Sequence, residues 1–377
     1  MNTSELNDRY GRQIILKGFG ETGQQKMLEA KVLVIGAGGL GCPALQYLAA
    51  AGAGTIGIVD DDVVALSNLH RQLLFNTGDI GFSKAIKAKE ALLQLNPTIQ
   101  IVAYNERLTT ENALPIFAVY DIIIDGTDNF ATRYLVNDAC VLLGKPLVYG
   151  AVSQFEGQVA VFNRIDTEGN RTANYRDLFP SPPKEGDVLN CAEAGVLGVL
   201  PGIIGTMQAN ETMKLITGIG KPLSNAIFTY NALSNKVYTV SLPAKAATRL
   251  LIPTDEVAFK KMDYEWLCKS ELLQPEIDAI QFNEMLNDPS VDIVDVREYD
   301  EQPMITGFIH SKIPLGQFKQ AMPEFDKDTI IVFCQSGKRS MRAAQWLFDS
   351  FGSSKKIYSL KGGILSWINS QQTTPNV

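Results

Sequence analysis

The chain has 377 residues, 45% of them hydrophobic, and its 41 acidic and 34 basic side chains leave a net charge of −7. That length makes two domains the expectation, and the apolar share is ample for a packed core. The acidic balance excludes broad binding to nucleic acid or to an acidic membrane surface, and no run approaches the ~20 apolar residues of a membrane span.

The N-terminus, Met1-Asn-Thr-Ser-Glu-Leu-Asn-Asp8, is polar and acidic, unlike a secretory signal. The five cysteines are few, odd in number and widely spaced. A disulfide scaffold is not expected, and a reducing cytoplasm is. No C-x-x-C pair exists, so the expectation is that no zinc ligands are present. Only two histidines, His70 and His310, could serve a mechanism that needs an imidazole base.

Residues 8–29 precede the first strand, and Arg9-Tyr-Gly-Arg-Gln-Ile-Ile-Leu16 mixes bases with apolar anchors. Residues 32–35 are a continuous apolar run, as in a strand buried on both faces. Gly36, Gly38 and Gly41 follow as G-x-G-x-x-G. The glycines permit a tight turn and close backbone approach, and the next helix aims its N-terminus at a phosphate. Pro43 lies near the first helical position, where its missing N–H is harmless. Residues 44–53 read as a helix of small side chains that Gly54 stops. Thr55–Val59 reads as the second strand, and Asp60 at its end is placed to accept a ribose hydroxyl bond. These parts compose a βαβ site for an adenosine nucleotide, without saying which one.

Lys84–Leu95 carries Ala85, Ala88, Leu92 and Leu95 near helical period, and Asn96-Pro97 ends it. Strands follow at 99–103, 120–125 and 146–151, with the loop Gly126-Thr-Asp-Asn129 and a helix at 133–143 between. This alternation predicts an α/β fold with a doubly wound, mostly parallel sheet. Residues 157–162 and 236–242 alternate as strands and extend that sheet. Residues 164–190 break every pattern and read as a structureless loop of functional length. Residues 202–217 form an apolar helix, and 243–275 read as a linker. A second βα set starts near Pro275, with strands at 292–296, 329–333 and 356–360. Between the last two lie Cys334-Gln-Ser-Gly-Lys-Arg-Ser340 and a helix over 341–351, and a short helix at 363–368 closes the chain.

Ligands of parallel sheets bind beyond the carboxyl ends of the strands. Asp60-Asp-Asp62 with Asn68-Leu-His-Arg-Gln72, then Lys84, then Asp128 with Asn129, all fall there. With Arg12 they supply cations for a polyphosphate and carboxylates for ribose and Mg²⁺. A dinucleotide needs no such set, which favours ATP over NAD. Asp128 suits Mg²⁺, which is held by one or two carboxylates plus phosphates.

Arg9-Tyr-x-Arg-Gln-Ile-Ile-Leu, Gly-x-Gly-Gly-Leu-Gly, Asp60 with Ser67-Asn-Leu-x-Arg-Gln72, Thr127-Asp-Asn129 and Cys191-x-Glu-Ala-Gly195 resemble the MoeB/ThiF family, bacterial relatives of ubiquitin-activating enzymes. The likeness spans roughly residues 5–242, a plausible domain length. It implies ATP and a small ubiquitin-like sulfur carrier ending in Gly-Gly as substrates, from molybdopterin or thiamine synthesis. The carrier's terminal carboxylate is adenylated and pyrophosphate leaves. By position, Gly36, Gly38, Gly39 and Gly41 form the phosphate loop, with Gly39 nearest the phosphates, and Asp60 holds the ribose. Ser67, Asn68, Leu69 and His70 belong to the nucleotide segment, His70 with a structural reading beside it. Arg12, Asn68, Arg71 and Lys84 neutralise the triphosphate. The arginine matching Arg71 reaches a neighbouring protomer in the family, which implies a homodimer. Asp128, next to Asn129, handles Mg²⁺ and the departing pyrophosphate, so catalysis is positioning and charge stabilisation. Residues 164–190 would cross over the carrier's tail. One departure stands out: the family binds zinc through two C-x-x-C pairs, one in the region of 173–178 here and one beyond the last strand. Both are missing, so no zinc is expected and the order of that flank is in question.

From about Glu276 onward the chain resembles a rhodanese domain, through Asp295-x-Arg297 and Cys334-Gln-Ser-Gly-Lys-Arg-Ser340. The domains expected are therefore 1–242 and 276–377, joined by 243–275. A thiolate between a strand end and a helix N-terminus is favoured by the helix dipole, and successive loop N–H groups form an anion nest. The loop Cys334, Gln335, Ser336, Gly337, Lys338, Arg339, Ser340 would hold a persulfide on Cys334, with Gly337 permitting the turn and Arg339 adding charge. Related phosphatases have one more residue there, so the shorter loop favours sulfur. A donor such as a cysteine desulfurase or thiosulfate would load it. Coupled, the two halves turn an adenylated carboxylate into a thiocarboxylate, with Arg71, Asp128, Cys334 and Cys191 as catalytic candidates.

Plainer readings stand beside these. Cys42 and Cys140 read as core cysteines, and Cys268 as packing for the linker. Cys191 is either a covalent attachment point for the carrier or a loop cysteine without chemistry. His310 is structural, Asp61 and Asp62 are solvated carboxylates, Asp125 supports the fold, and Arg297 is a buried ion pair. Two other functions compete: a nicotinamide dehydrogenase, for which no hydride-transfer partner is evident, and a catalytically silent binder of ubiquitin-like proteins, which has no need of Arg71, Lys84 and Asp128.

Overall fold

The computed structural model describes residues 3–166, 168–182, 195–264, 276–318 and 325–372, and the chain divides into two compact units at residue 264. In chain order the first unit has helices α1 (Thr3–Ile14) and α2 (Gly20–Glu29), strand β1 (Lys31–Ile35), α3 (Gly41–Ala51), β2 (Thr55–Val59) and α4 (Lys84–Leu95). Then come β3 (Gln100–Tyr104), α5 (Ala113–Ala118), β4 (Ile122–Asp125), α6 (Phe130–Leu143), β5 (Leu147–Ser153) and β6 (Glu156–Phe162). The short α7 (Tyr175–Leu178), α8 (Val199–Thr217), β7 (Ala226–Asn231), β8 (Lys236–Ser241) and α9 (Glu256–Lys261) complete it.

Its sheet runs β3-β2-β1-β4-β5-β6-β7-β8. The first five strands are parallel, as the pattern predicted, and the last three join antiparallel, two of them, β6 and β8, foreseen as extensions of the sheet. Strand order reverses at β1, between β2 and β4, and such a reversal opens a crevice at the carboxyl ends. The apolar run of β1 is buried because α3 packs on it, and α3 can come that close because its first residue is glycine. A Cβ on Gly41 would collide with the carbonyl oxygen of Gly36, itself at φ +89°.

Several expectations need correction. The stretch 8–29, left without an assigned element, is mostly helical, and residues 226–231 form a strand the pattern did not reveal. Burial alternates along β7, with Ile227 and Thr229 inward, but its hydropathy does not. Helix α6 starts three residues early because Asn129 caps it, accepting the Thr132 N–H at 2.9 Å. The structureless reading of 164–190 fails over its described part. Ile165 bridges Arg171, Asn174 caps α7, and Ala173, Tyr175, Arg176 and Asp177 are buried. Residues 183–190 lie outside the described residues. From the stretch set apart as a linker, Thr248, Phe259 and Tyr264 are buried in the first unit.

The second unit contains β9 (Glu276–Ile277), α10 (Ala279–Met285), β10 (Val291–Asp295), β11 (Ser311–Lys312) and α11 (Leu315–Phe318). Strand β12 (Thr329–Phe333), α12 (Lys338–Phe351), β13 (Lys356–Leu360) and α13 (Gly363–Gln372) follow. The sheet is wholly parallel, in the order β11-β10-β12-β13-β9. Every residue of the central β12 is buried, which explains its unbroken apolar run. Among the described residues, no helix is long and apolar enough to cross a membrane.

Candidate active sites

The crevice predicted at the strand reversal is a pocket of about 390 Å³. The loop after β1 contributes Gly36, Gly38 and Gly39, the end of β2 contributes Asp60, and the loop after β4 contributes Asp128 and Asn129. Arg71 and Lys84 close its sides. Gly41 lies beneath, as the glycine that lets α3 approach.

Asp60 is positioned by two backbone donors: Oδ2 accepts from Ala37 N–H at 2.7 Å and Oδ1 from Asp62 N–H at 2.9 Å. Burial pushes its carboxyl up from the usual range, and the Lys84 ammonium and these N–H bonds oppose that. Lys84 is buried at the first position of α4 and holds Asp62 Oδ2 at 2.8 Å. Asp62, read as a solvated carboxylate, is thus the counter-ion of a site cation. Asp128 is exposed at the tip of a braced loop. Asp125 below it is buried and takes the Thr127 N–H at 2.9 Å and hydroxyl at 2.6 Å, in keeping with its support reading. Burial raises the Asp125 carboxyl, and Arg133 opposes this. Arg133 donates to the Thr127 carbonyl at 3.0 Å and stacks 5.6 Å from the rings of Phe130 and Tyr149. Asp128 is one of several exposed carboxylates on the pocket, with Asp61, Asp62 and Glu106, and such a rim fits Mg²⁺, which brings most of its other ligands as water and phosphate.

Ser67 through His70 act as a mount for Arg71. The Ser67 carbonyl accepts from Arg71 Nη1 at 3.1 Å, and His70 Nε2 lies 2.7 Å from the same nitrogen. Asn68 Oδ1 takes the Ala65 N–H, and Leu69 packs on the core. Arg12, read as neutralising the triphosphate, lies on the exposed face of α1 and does not line the pocket of its own chain, whereas Arg71, read as the position that reaches a neighbouring protomer, lines the pocket of its own chain. Gln72, named in its cluster without a role, lines the pocket, and lining residues that were missed include Glu106, Arg107, Thr132 and Arg133. Arg133 stands four residues after the capping Asn129, a spacing that puts both on one helix face. Arg107 carries no local signal.

In the second unit Cys334 follows β12, is fully buried, and accepts the Gly337 N–H on Sγ at 3.2 Å. Gly337 has φ +91°, so the turn needs glycine. Ser340 Oγ is 3.5 Å from the sulfur. Arg339 was expected to add positive charge beside the sulfur. It pairs with Glu301, Nη1 to Oε2 at 2.7 Å, and this bond holds the Glu301 carboxyl below its usual range. Gln335 Nε2 reaches the Gln302 carbonyl at 3.3 Å. Arg297 forks onto Asp295 in a fully buried pair, Nη2 to Oδ2 at 2.8 Å, as read. His310 packs against Phe308 with its ring tilted and against Phe333 edge-on. Cys42 and Cys140 are buried, and burial pushes the Cys42 thiol up to about 12, so both are poor nucleophiles. Cys191 and Cys268 lie outside the described residues.

At the flank where the resemblance implies zinc, a polar knot occupies the space. Arg176 grips Asp138 with two bonds, 2.9 and 2.7 Å, and Tyr264 donates to the same carboxylate at 2.9 Å. Asp177 accepts the Lys245 N–H at 2.9 Å, the Thr248 hydroxyl and the Asn174 N–H at 2.8 Å. Protein donors already engage these carboxylates, and no group of three or more His, Cys, Asp or Glu able to hold a metal occurs among the described residues. This donor set does not fit zinc.

A family model described as "ThiF family" matches residues 10–250. The chain belongs to that family. A second model, "Rhodanese-like domain", matches residues 278–370. The chain is 50% identical over 267 residues to a "Sulfur carrier protein adenylyltransferase" of Thermus thermophilus, covering 71% of this chain and 98% of that one. It is 39% identical to a "Probable adenylyltransferase/sulfurtransferase MoeZ" of Mycobacterium tuberculosis, across 97% of this chain and 93% of the relative. An "Adenylyltransferase and sulfurtransferase MOCS3" of Drosophila grimshawi is also 39% identical, over 96% and 84%. Among solved structures, E. coli MccB with ATP superposes with a TM-score of 0.55 at 22% identity, covering 65% of this chain and 74% of that one, a likeness of fold. The relatives that run the length of this ThiF-family chain therefore also carry its second, sulfur-bearing unit.

Proposed function

We propose that this protein adenylates the C-terminal Gly-Gly carboxylate of a small ubiquitin-like sulfur carrier and supplies sulfur to it from a persulfide on Cys334. The observation that carries the reading is the pairing, on one chain, of a cation-rimmed nucleotide pocket with a thiol held in a backbone N–H turn. The relatives of matching length are named for both activities. The glycine loop admits the phosphates, Asp60 takes the ribose, and Arg71 and Lys84 meet the charge that develops as the carboxylate oxygen attacks the α-phosphorus and pyrophosphate leaves. Asp128 is the residue that would hold Mg²⁺, which supplies charge neutralisation on the phosphates. The terminal sulfur of the Cys334 persulfide then attacks the acyl carbon and AMP departs; a thiol attacks Cys334 Sγ, the thiocarboxylate leaves with the electron pair of the broken S–S bond, and a second thiol reduces the disulfide left on Cys334. The sulfur donor is a cysteine desulfurase or thiosulfate.

A homodimer in the cytoplasm is part of this reading. Arg12 is exposed, away from its own pocket, and next to exposed Ile15 and Leu16, so it can join a triphosphate site only where a second copy brings it there. No zinc is needed on the flank, because the knot around Asp138 and Asp177 ties residues 173–178 to the segment after β8. The deciding test is ATP–pyrophosphate exchange that depends on a Gly-Gly carrier, with mass spectrometry of the carrier after turnover. Addition of AMP followed by exchange of oxygen for sulfur is expected. No exchange with either a molybdopterin or a thiamine carrier would overturn the reading.

A further inference from the structure

The loop that carries Cys334 is backed by a second buried hydroxyl that no motif includes. Ser359, on β13, has no solvent exposure and donates to Ser340 Oγ at 2.9 Å. Ser340, also fully buried, has two acceptors in reach: the Gly337 carbonyl at 2.9 Å and Cys334 Sγ at 3.5 Å. A hydroxyl carries one proton, so Ser340 serves one acceptor at a time. Gly337 does not depend on it, because its carbonyl also accepts the Met341 N–H at 3.1 Å. The Ser340 proton can therefore turn from carbonyl to sulfur without orphaning a buried acceptor. Ser359, donating into the Ser340 oxygen, makes that hydroxyl the better donor.

We propose that Ser359 is a positioning residue for sulfur transfer, holding the Ser340 hydroxyl ready for an anionic sulfur on Cys334. This rests on the sulfurtransferase reading above. When a thiophilic acceptor such as cyanide takes the outer sulfur of the persulfide, the S–S bond breaks and its electron pair stays on Cys334 Sγ; in transfer to the carrier, Cys334 regains its thiolate when a second thiol reduces the disulfide left on it. That thiolate receives the Gly337 N–H already aimed at it and the turning Ser340 hydroxyl, a charge-assisted bond. Among the described side chains near the turn, Arg339 of α12 is paired with Glu301, and Arg297 with Asp295 at the end of β10. The hydroxyl pair is an adjustable part of the sulfur's surroundings.

The test uses the full-length protein and follows alkylation of the Cys334 peptide by mass spectrometry across pH. Ser359→Ala is expected to move the alkylation midpoint upward by about half a pH unit, roughly a threefold loss of thiolate. It should slow thiosulfate-to-cyanide sulfur transfer to a similar degree and leave ATP–pyrophosphate exchange unchanged. Ser340→Ala should shift the midpoint further, and the double variant should match Ser340→Ala, because Ser359 acts through it. Ser359→Thr keeps the hydroxyl and should retain the parent profile. A Ser359→Ala profile that overlays the parent, additive shifts in the double variant, or a threonine variant that behaves as alanine would each overturn the proposal. If the profiles shift as expected but no Cys334 persulfide forms with any donor, the hydroxyl relay stands and the sulfurtransferase reading falls.

Discussion

The two units share one opening move and put it to opposite uses. In each, a buried parallel strand ends in a glycine-bearing loop that runs into a helix: β1 into α3, and β12 into α12. Both turns present backbone N–H groups to an anion. After β1 the loop has only glycines at the phosphate positions, so the concavity stays open as a pocket of about 390 Å³ for a ligand that arrives from outside. After β12 the loop begins with Cys334, whose own sulfur already takes the Gly337 N–H. The backbone thus builds an anion site in both, and one side chain decides whether the anion visits or resides. The cations differ in the same sense. Lys84 is paired with Asp62, whose side chain is 71% exposed and can swing away when phosphate comes, while the Glu301 partner of Arg339 is only 18% exposed.

The largest effects should be the ones that separate the two sites. Cys334→Ala is expected to abolish thiocarboxylate formation, measured on the carrier by mass spectrometry, while ATP–pyrophosphate exchange continues at the parent rate. Asp128→Ala should do the converse: exchange falls about 10²–10³-fold, as for loss of one preorganised electrostatic contact, and thiosulfate-to-cyanide transfer is untouched. If either variant disabled both assays, the independence of the two anion sites would be lost.

The next effect concerns the knot. Asp138→Ala strands the buried Arg176 guanidinium and should cost about 3–5 kcal/mol in urea unfolding of the first unit. Dialysis against a zinc chelator should leave the parent's Tm unchanged. A chelator-induced fall would mean that a metal, and not the knot, secures this flank.

A smaller effect compares a glycine packed against each loop, Gly41 on the loop after β1 and Gly363, at the start of α13, on the loop after β12. Gly41→Ala drives a Cβ into the Gly36 carbonyl, and Gly363→Ala drives one into the Cys334 and Gln335 carbonyls at φ +65°. Each should cost about 1–3 kcal/mol by overpacking, read from urea midpoints. Gly41→Ala should also weaken ATP binding, and Gly363→Ala should slow alkylation of Cys334.

The smallest is pH-dependent. Arg339 holds the Glu301 carboxyl below its usual value, so the ionised pair stabilises the fold above the unfolded-state pKa, and this is lost as pH falls through the folded one. Glu301→Gln should therefore cost about 0.5–1 kcal/mol at pH 7 and approach no cost in acid, where the parent's Glu301 is itself neutral. An equal penalty at both pH values would show that shape, and not charge, is what Glu301 contributes.

Much of the nucleotide site was legible before any coordinates. Gly36, Gly38, Gly41 and Asp60 announce themselves because turn, helix start and strand end are local events, and strand periodicity reports burial directly. The same holds for Cys334 and Gly337. What stayed hidden joins residues distant in sequence. Tyr264 meets Asp138 across 126 positions, and Arg339 meets Glu301 across 38. Strand β7 was missed because its inward and outward faces differ in burial and not in polarity. Residues 173–178 looked like loop because their structure is held by polar partners on other elements, which no hydrophobic period can report. Composition and local pattern thus determined which chemistries the chain can offer. The tertiary pairing of its charges decided which cations are free to meet a ligand, since a counter-ion contributed from elsewhere in the fold leaves no trace in the neighbouring sequence.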